Sequence, residues 1–144
     1  MQFSQSSDIP PFSDYRPAVM AVDDESSVLD LVMEVLLDLG CDAQSAVEGK
    51  DAYARIQAGS AIDLLITDIR MPGMSGLELA DKVRQIRPDL PILFITGYAS
   101  EFERGVELAP GTSLLVKPFS LAKLGATVRD ILDRRHAVGL APEH

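Results

Sequence analysis

The fold is decided by the stretch IDLLITDIRMPGMSG at residues 62–76. Its first part, Ile62 to Thr67, is a nearly continuous apolar run, which is typical of a strand covered on both faces. Asp68 follows this strand, and a Pro-Gly pair four residues later indicates a loop. A helix is then predicted over 75–87, ending before a proline. The stretch therefore contains a buried strand, an acidic residue at its end, and a helix.

The same alternation of strand and helix continues on both sides of this stretch. Other strands are predicted at 18–22, 42–47, 92–96 and 114–116. Other helices are predicted at 28–39, 48–58, 100–108 and 120–135. Five strands alternating with five helices, with apolar runs too continuous for a one-sided sheet, indicate a doubly wound parallel α/β fold.

Length and composition limit what such a chain can be. With 144 residues, of which 47% are hydrophobic, it can bury one core but not two. We expect a disordered arm at 1–17, a single domain at 18–135 and a tail at 136–144. A net charge of −9 counts against direct DNA binding, because phosphate backbones select basic surfaces.

Two further sequence features bear on where the protein acts. No apolar run approaches the roughly 20 residues that cross a bilayer, and the N-terminus lacks a secretory pattern. Cys41 is the single cysteine, which excludes an internal disulfide or a cysteine metal cluster. These features predict a cytoplasmic protein without a membrane partner.

Polar residues stand at the predicted carboxyl ends of four strands. Asp23 and Asp24 follow the first strand, Asp68 the third and Lys117 the fifth, while Thr96 ends the fourth. In doubly wound folds, binding sites lie outside these strand ends, where the strand order reverses. We therefore expect three carboxylates, one hydroxyl and one ammonium to share one edge of the sheet.

Each of these residues has a structural explanation when it is taken alone. Acidic residues such as Asp23 and Asp24 suit the positive N-terminus of a following helix. Asp68 could cap a turn, and a single lysine at a strand end is usually a solvated charge. Three carboxylates at one edge would, however, repel one another unless a cation is present. Their combination favours a divalent cation, and Mg²⁺ suits oxygen ligands.

With a metal bound, one of the carboxylates could act as a nucleophile towards phosphorus, as in aspartyl-phosphate chemistry. The Thr96 hydroxyl and the Lys117 ammonium could then stabilise charge on the phosphoryl oxygens. Gly97 has no side chain to block the approach to Asp68.

Four motifs together resemble the receiver domains of bacterial two-component response regulators. They are VDDE at 22–25, TDIRMPGMSG at 67–76, FITGY at 94–98 and LVKPF at 115–119. The resemblance covers roughly residues 17–134. It implies a flavodoxin-like fold with strand order 2-1-3-4-5.

The resemblance also implies a role for each site residue. Asp68 would accept a phosphoryl group from a phosphohistidine. Mg²⁺ (or Mn²⁺) would be bound by Asp24 directly, by Asp23 mostly through water, by Asp68 and by the backbone carbonyl of Arg70.

Further residues are assigned by the same resemblance. Thr96 and Lys117 would contact the phosphoryl oxygens and couple them to a change of shape. The Lys117–Pro118 peptide bond is expected to be cis. Leu114 stands three positions before the lysine, where receivers often carry an aromatic residue.

The implied partners are a sensor histidine kinase or a histidine phosphotransfer protein, and an unknown downstream protein. We expect a stand-alone receiver that signals by phosphorylation-dependent binding or by relay, although the receiver of a hybrid kinase would have a similar sequence. It would not be an enzyme beyond its own phosphorylation and dephosphorylation.

Three other functions fit the same fold less well. An aspartyl phosphohydrolase of the haloacid dehalogenase type needs a second Asp where Arg70 stands. A flavin-binding module needs a phosphate loop after the first strand, where Asp23 and Asp24 would repel the flavin phosphate. A pseudo-receiver would have lost active-site residues, and all five positions are intact here.

Arg70 and Tyr98 flank the expected phosphorylation site, and we hypothesise that they set the lifetime of the phosphoryl group. By shielding or admitting the attacking water, they would control autodephosphorylation. Replacing both with small residues should change the autodephosphorylation rate, measured as loss of the phosphoryl group with time. An unchanged rate would reduce both residues to ordinary loop positions.

Overall fold

The structure, a computed structural model, describes residue 12, residues 15–97 and residues 110–140. In this part of the chain, five strands alternate with four helices. The elements are β1 (Ala18–Val22), α1 (Ser26–Asp38), β2 (Asp42–Ala46), α2 (Gly49–Gln57), β3 (Leu64–Asp68), α3 (Gly76–Ile86), β4 (Ile92–Thr96), β5 (Thr112–Val116) and α4 (Leu121–Leu140). The helix predicted over 100–108 lies outside the described residues.

All five strands form one parallel sheet in the order β2-β1-β3-β4-β5, as predicted. Every residue of the three central strands is buried, because helices cover both faces of the sheet. The register sets Val22 of β1 beside Thr67 of β3, and Asp68 beside Ile95 of β4. The carboxyl ends of these strands therefore meet at one edge, which confirms the doubly wound parallel α/β fold.

Alternate residues of each strand contribute to two separate cores, because successive side chains point to opposite faces of a sheet. On one face, Val19 and Ala21 pack with residues of α1 and α4, including Leu36 and Leu124. On the other face, Met20 and Val22 pack with residues of α2 and α3; these include Ala52, Ile56, Leu79 and Val83. Among the described residues, no helix combines the length and apolar character that a bilayer crossing requires.

Two element boundaries differ from the prediction in ways that affect the site or the domain limits. Strand β3 includes Asp68 as its last residue, so the carboxylate is carried on the rigid sheet and not on a loop. Helix α4 continues to Leu140, five residues into the segment assigned to a C-terminal tail. The first residue that would stop a helix after Arg135 is Pro142, since proline lacks the backbone donor.

Part of the segment assigned to a disordered arm packs against the domain. The backbone N–H of Phe12 donates a 2.8 Å hydrogen bond to the Leu39 carbonyl, and its buried ring joins the α1 and α4 core. The Arg129 guanidinium lies 4.3 Å from the centre of that ring. The Tyr15 ring stacks on His136 at 4.0 Å. These aromatic residues therefore extend the core beyond the predicted start at residue 18.

Removing the Phe12 ring should destabilise the domain. Because Phe12 is 9% exposed and packs on the core, Phe12→Ala should lower the free energy of unfolding by about 3 kcal/mol. The matched control is Leu37→Ala, whose side chain is 60% exposed and should change stability by less than about 0.5 kcal/mol. Urea denaturation compares the two; equal values would show that the N-terminal segment does not support the fold.

Candidate functional site

At the ends of β1, β3 and β5, the Lys117 ammonium lies between carboxylates. The Lys117 Nζ atom lies 3.1 Å from Oδ2 of Asp68 and 3.0 Å from Oε1 of Glu25. It lies 3.7 Å from Oδ2 of Asp23, which is too long for a strong hydrogen bond but close enough for charge attraction. One lysine thus lies close to two acidic residues that follow β1 and to one that ends β3.

A backbone N–H and a lysine side chain hold the two oxygens of the Asp68 carboxylate. Its Oδ1 atom accepts a 2.7 Å hydrogen bond from the backbone N–H of Ile69, while Oδ2 faces Lys117. The Thr67 hydroxyl donates to the Asp68 backbone carbonyl at 2.9 Å. With 8% of its side chain exposed, Asp68 is buried yet open enough to be reached from the sheet edge.

Gly76 allows helix α3 to start directly against this strand end. A Cβ atom at residue 76 would lie 1.9 Å from the backbone carbonyl oxygen of Asp68, which no side chain could tolerate. The Gly76 N–H donates to the Ile69 carbonyl at 2.8 Å, which ties the helix to the loop after Asp68. Glycine at this position therefore holds the carboxylate-bearing backbone in place.

The fold clearly shifts the pKa of the Asp23 carboxyl group. Its side chain is 4% exposed, and Oδ1 accepts a 2.9 Å hydrogen bond from the backbone N–H of Glu25. Burial raises the pKa of Asp23 to about 6, and the nearby charge of Asp68 adds to the increase. Burial lowers the pKa of Lys117, but its hydrogen bonds to Glu25 and Asp68 outweigh burial, so the pKa is raised.

The donor set fits a hard divalent cation. Oxygen atoms of Asp23, Glu25 and Asp68 lie within 4.8 Å of one another, and one Lys117 ammonium leaves their negative charge only partly balanced. The raised pKa of Asp23 reflects this excess of negative charge as well as burial. Carboxylate oxygens around a small space are the ligands that Mg²⁺ selects. The residues therefore suit the predicted metal.

The remaining predicted residues lie at or near this edge. Asp24 is exposed and does not belong to the cluster of three carboxylates. Glu25, for which no role was predicted, does belong to it. Thr96 is fully buried at the end of β4, and its carbonyl accepts a 2.8 Å hydrogen bond from the Lys117 N–H. The Arg70 side chain is exposed beside the site. Tyr98 lies outside the described residues.

Two predictions concern β5 and the residues that follow it. The Lys117–Pro118 bond is cis in the structure. Leu114, in the position where related domains carry an aromatic residue, is half-buried and packs against the core formed with α2 and α3.

A family model described as the response regulator receiver domain matches residues 19–129. The chain belongs to this family. The match covers β1 from its second residue, the other four strands, three of the four helices described here and the first part of α4. The receiver family predicted from the sequence motifs is therefore confirmed.

The relatives of this receiver domain include a transcriptional regulatory protein and a sensor kinase. The phosphate regulon transcriptional regulatory protein PhoB of Rhizobium meliloti (strain 1021) is 38% identical over 122 residues, which cover 82% of this chain and 53% of that protein. The sensor kinase CckA of Brucella abortus (strain 2308) is 31% identical over 119 residues, which cover 81% of this chain and 13% of the kinase. The receiver thus spans about half of PhoB and a small part of CckA.

A solved structure gives the same result for the fold. The chemotaxis response regulator CheY4 of Vibrio cholerae has a TM-score of 0.72 and 32% identity to this receiver; the match covers 82% of this chain and all of that one. Because relatives include transcriptional regulatory proteins, the absence of direct DNA binding stays a prediction.

Neutralising Asp23 should stabilise the metal-free receiver at neutral pH. Because its pKa is about 6 in the fold against an ordinary 3.8, the folded state binds the proton more tightly than the unfolded chain. Its ionisation therefore lowers the free energy of unfolding as pH rises from about 4 through about 6. Asp23→Asn should be more stable than the parent by about 2 kcal/mol at neutral pH, with the difference lost below about pH 4.

Urea denaturation with a chelator present, repeated across this pH range, measures the difference. Asp24→Asn serves as the control, because its exposed carboxylate should give no comparable gain. A gain for Asp23→Asn that did not vary with pH would contradict the assignment of the raised pKa to this residue.

Proposed function

We propose that Asp68 of this receiver accepts a phosphoryl group from the phosphohistidine of a sensor histidine kinase or a histidine phosphotransfer protein. The observation that carries the proposal is the position of Asp68: a buried carboxylate ending a central strand, with the Lys117 ammonium 3.1 Å from Oδ2. Family membership supports the same reaction, since receivers take part in phosphorelay signalling.

In the proposed reaction, a carboxylate oxygen of Asp68 attacks the phosphorus atom. A P–O bond forms while the P–N bond to the donor imidazole breaks, and the imidazole nitrogen keeps the electron pair and takes up a proton. Hydrolysis by water later returns the free carboxylate and inorganic phosphate. The hydrogen bond from Ile69 N–H orients the carboxylate before the donor arrives, which lowers the cost of reaching the attacking geometry.

Charge that develops on the phosphoryl oxygens needs positive groups close to Asp68. Lys117 can move its ammonium from the Asp68 oxygen to a phosphoryl oxygen with little displacement, because the two positions are adjacent. The Thr96 hydroxyl lies at the end of β4, next to β5. It would also contact a phosphoryl oxygen and couple this contact to a change of shape.

The metal would be held by Asp24 directly, by Asp23 mostly through water, by Asp68 and by the backbone carbonyl of Arg70, with Glu25 beside them. Bound Mg²⁺ (or Mn²⁺) would neutralise phosphoryl charge without any exchange of protons. The three clustered carboxylates support this assignment because their mutual repulsion favours a cation.

The output is proposed to be a change in protein binding, or relay of the phosphoryl group to a histidine phosphotransfer protein. The net charge of −9 supports a protein partner over direct contact with DNA. A cytoplasmic location and a fifth helix over 100–108 belong to the same proposal. Catalysis would be limited to the receiver's own phosphorylation and dephosphorylation.

Incubation with acetyl phosphate and Mg²⁺ should add one phosphoryl group to the intact protein. The reaction should need the metal and should disappear in Asp68→Asn, because the amide is not a nucleophile towards phosphorus. Intact-mass spectrometry gives the result directly. A phosphorylated Asp68→Asn protein would refute the assignment, and rapid turnover of a general phosphatase substrate would indicate a phosphohydrolase instead.

A further inference from the structure

We propose that Glu25 is a positioning residue that competes with the phosphoryl group for the Lys117 ammonium and thereby slows phosphorylation of Asp68. The inference rests on the proposed function and extends it to the regulation of the same site. It assigns a role to a carboxylate that lies next to the pair Asp23 and Asp24 in sequence.

The geometry of Lys117 carries this inference. Its ammonium has three N–H donors, and within the described part of the chain it donates to Glu25 Oε1 at 3.0 Å and to Asp68 Oδ2 at 3.1 Å. Glu25 is thus as close to the ammonium as the proposed phosphoacceptor itself. A phosphoryl oxygen arriving at Asp68 must share Lys117 with Glu25.

Glu25 differs from the other acceptors in its exposure. The side chain of Glu25 is 58% exposed, against 8% for Asp68 and 4% for Asp23. Of these three carboxylates, that of Glu25 is therefore the most accessible to a phosphodonor that comes from solvent. Its carboxylate therefore acts twice against an anionic donor: it occupies Lys117, and it repels the donor's negative charge.

Local backbone geometry holds Glu25 in this position. The backbone N–H of Glu25 donates to Asp23 Oδ1 at 2.9 Å, and the Glu25 carbonyl accepts the first hydrogen bond of helix α1 from Leu29. The backbone before the helix is thereby fixed, while the side chain is exposed and is held by its contact with Lys117. A hydrogen bond from Lys117 to an exposed side chain of this kind restrains the ammonium but can still break.

Glu25→Gln should raise the rate of phosphorylation by acetyl phosphate about two- to fivefold, the effect expected of one partly exposed charge. The rate is measured by intact mass at saturating Mg²⁺, so that any weaker metal binding does not mask the effect. Phosphoramidate, which carries less net negative charge, should show a smaller increase. Glu25→Asp, which keeps the charge, should stay close to the parent rate with both donors.

Glu48→Gln is the matched control, because it removes an exposed carboxylate from the loop after β2 at the same edge of the sheet. Its rate should not change. An equal acceleration in Glu48→Gln, or no acceleration in Glu25→Gln, would overturn the role of Glu25 and leave the proposed function intact. A parent protein that gains no phosphoryl group would overturn both.

Discussion

The attraction between one half-buried ammonium and the carboxylates around it is the interaction on which this site depends. Three strand ends of a parallel sheet meet at one edge, so the residues that follow the strands are forced together whatever their charge. Lys117 balances part of the negative charge of Asp23, Glu25 and Asp68, and backbone N–H groups balance another part. The remaining excess is what makes the edge suited to a cation and to phosphoryl chemistry. At a sheet edge with no binding function, this much like charge would only destabilise the fold.

The rest of the fold serves to keep these groups in a fixed arrangement. Central strands buried on both faces cannot move without opening both cores, so Asp68 and Thr96 are carried on the most rigid part of the molecule. Gly76 lets helix α3 begin against the Asp68 backbone, where a methyl group would already collide. Lys117 joins the group from the edge strand β5, whose residues are less completely buried than those of the central strands. The site thus combines two rigid acidic strand ends with a basic residue from a less constrained strand.

The strands, the sheet order and the edge where the site lies could be predicted because buried parallel strands leave an unambiguous apolar pattern. The five polar residues predicted for the site stand at or directly after the ends of those strands, so their common edge followed from the strand pattern. Contacts made by loops and termini could not be predicted in this way. The proximity of Glu25 to Lys117 depends on the conformation of the turn after β1, and the packing of Phe12 depends on a groove between α1 and α4 that has no sequence motif. The end of α4 was placed too early because the pattern of apolar residues weakens there, although nothing before Pro142 stops a helix.

The central claim is that, of the clustered acidic residues, Asp68 alone carries the phosphoryl group. Borohydride reduction of the phosphorylated protein tests it most directly, because an acyl phosphate is reduced to an alcohol while a free carboxylate is not. Peptide mapping by mass spectrometry then identifies the residue. We expect homoserine at position 68, with Asp23, Asp24 and Glu25 unchanged. A reduced residue at any of those three positions, with Asp68 intact, would contradict it.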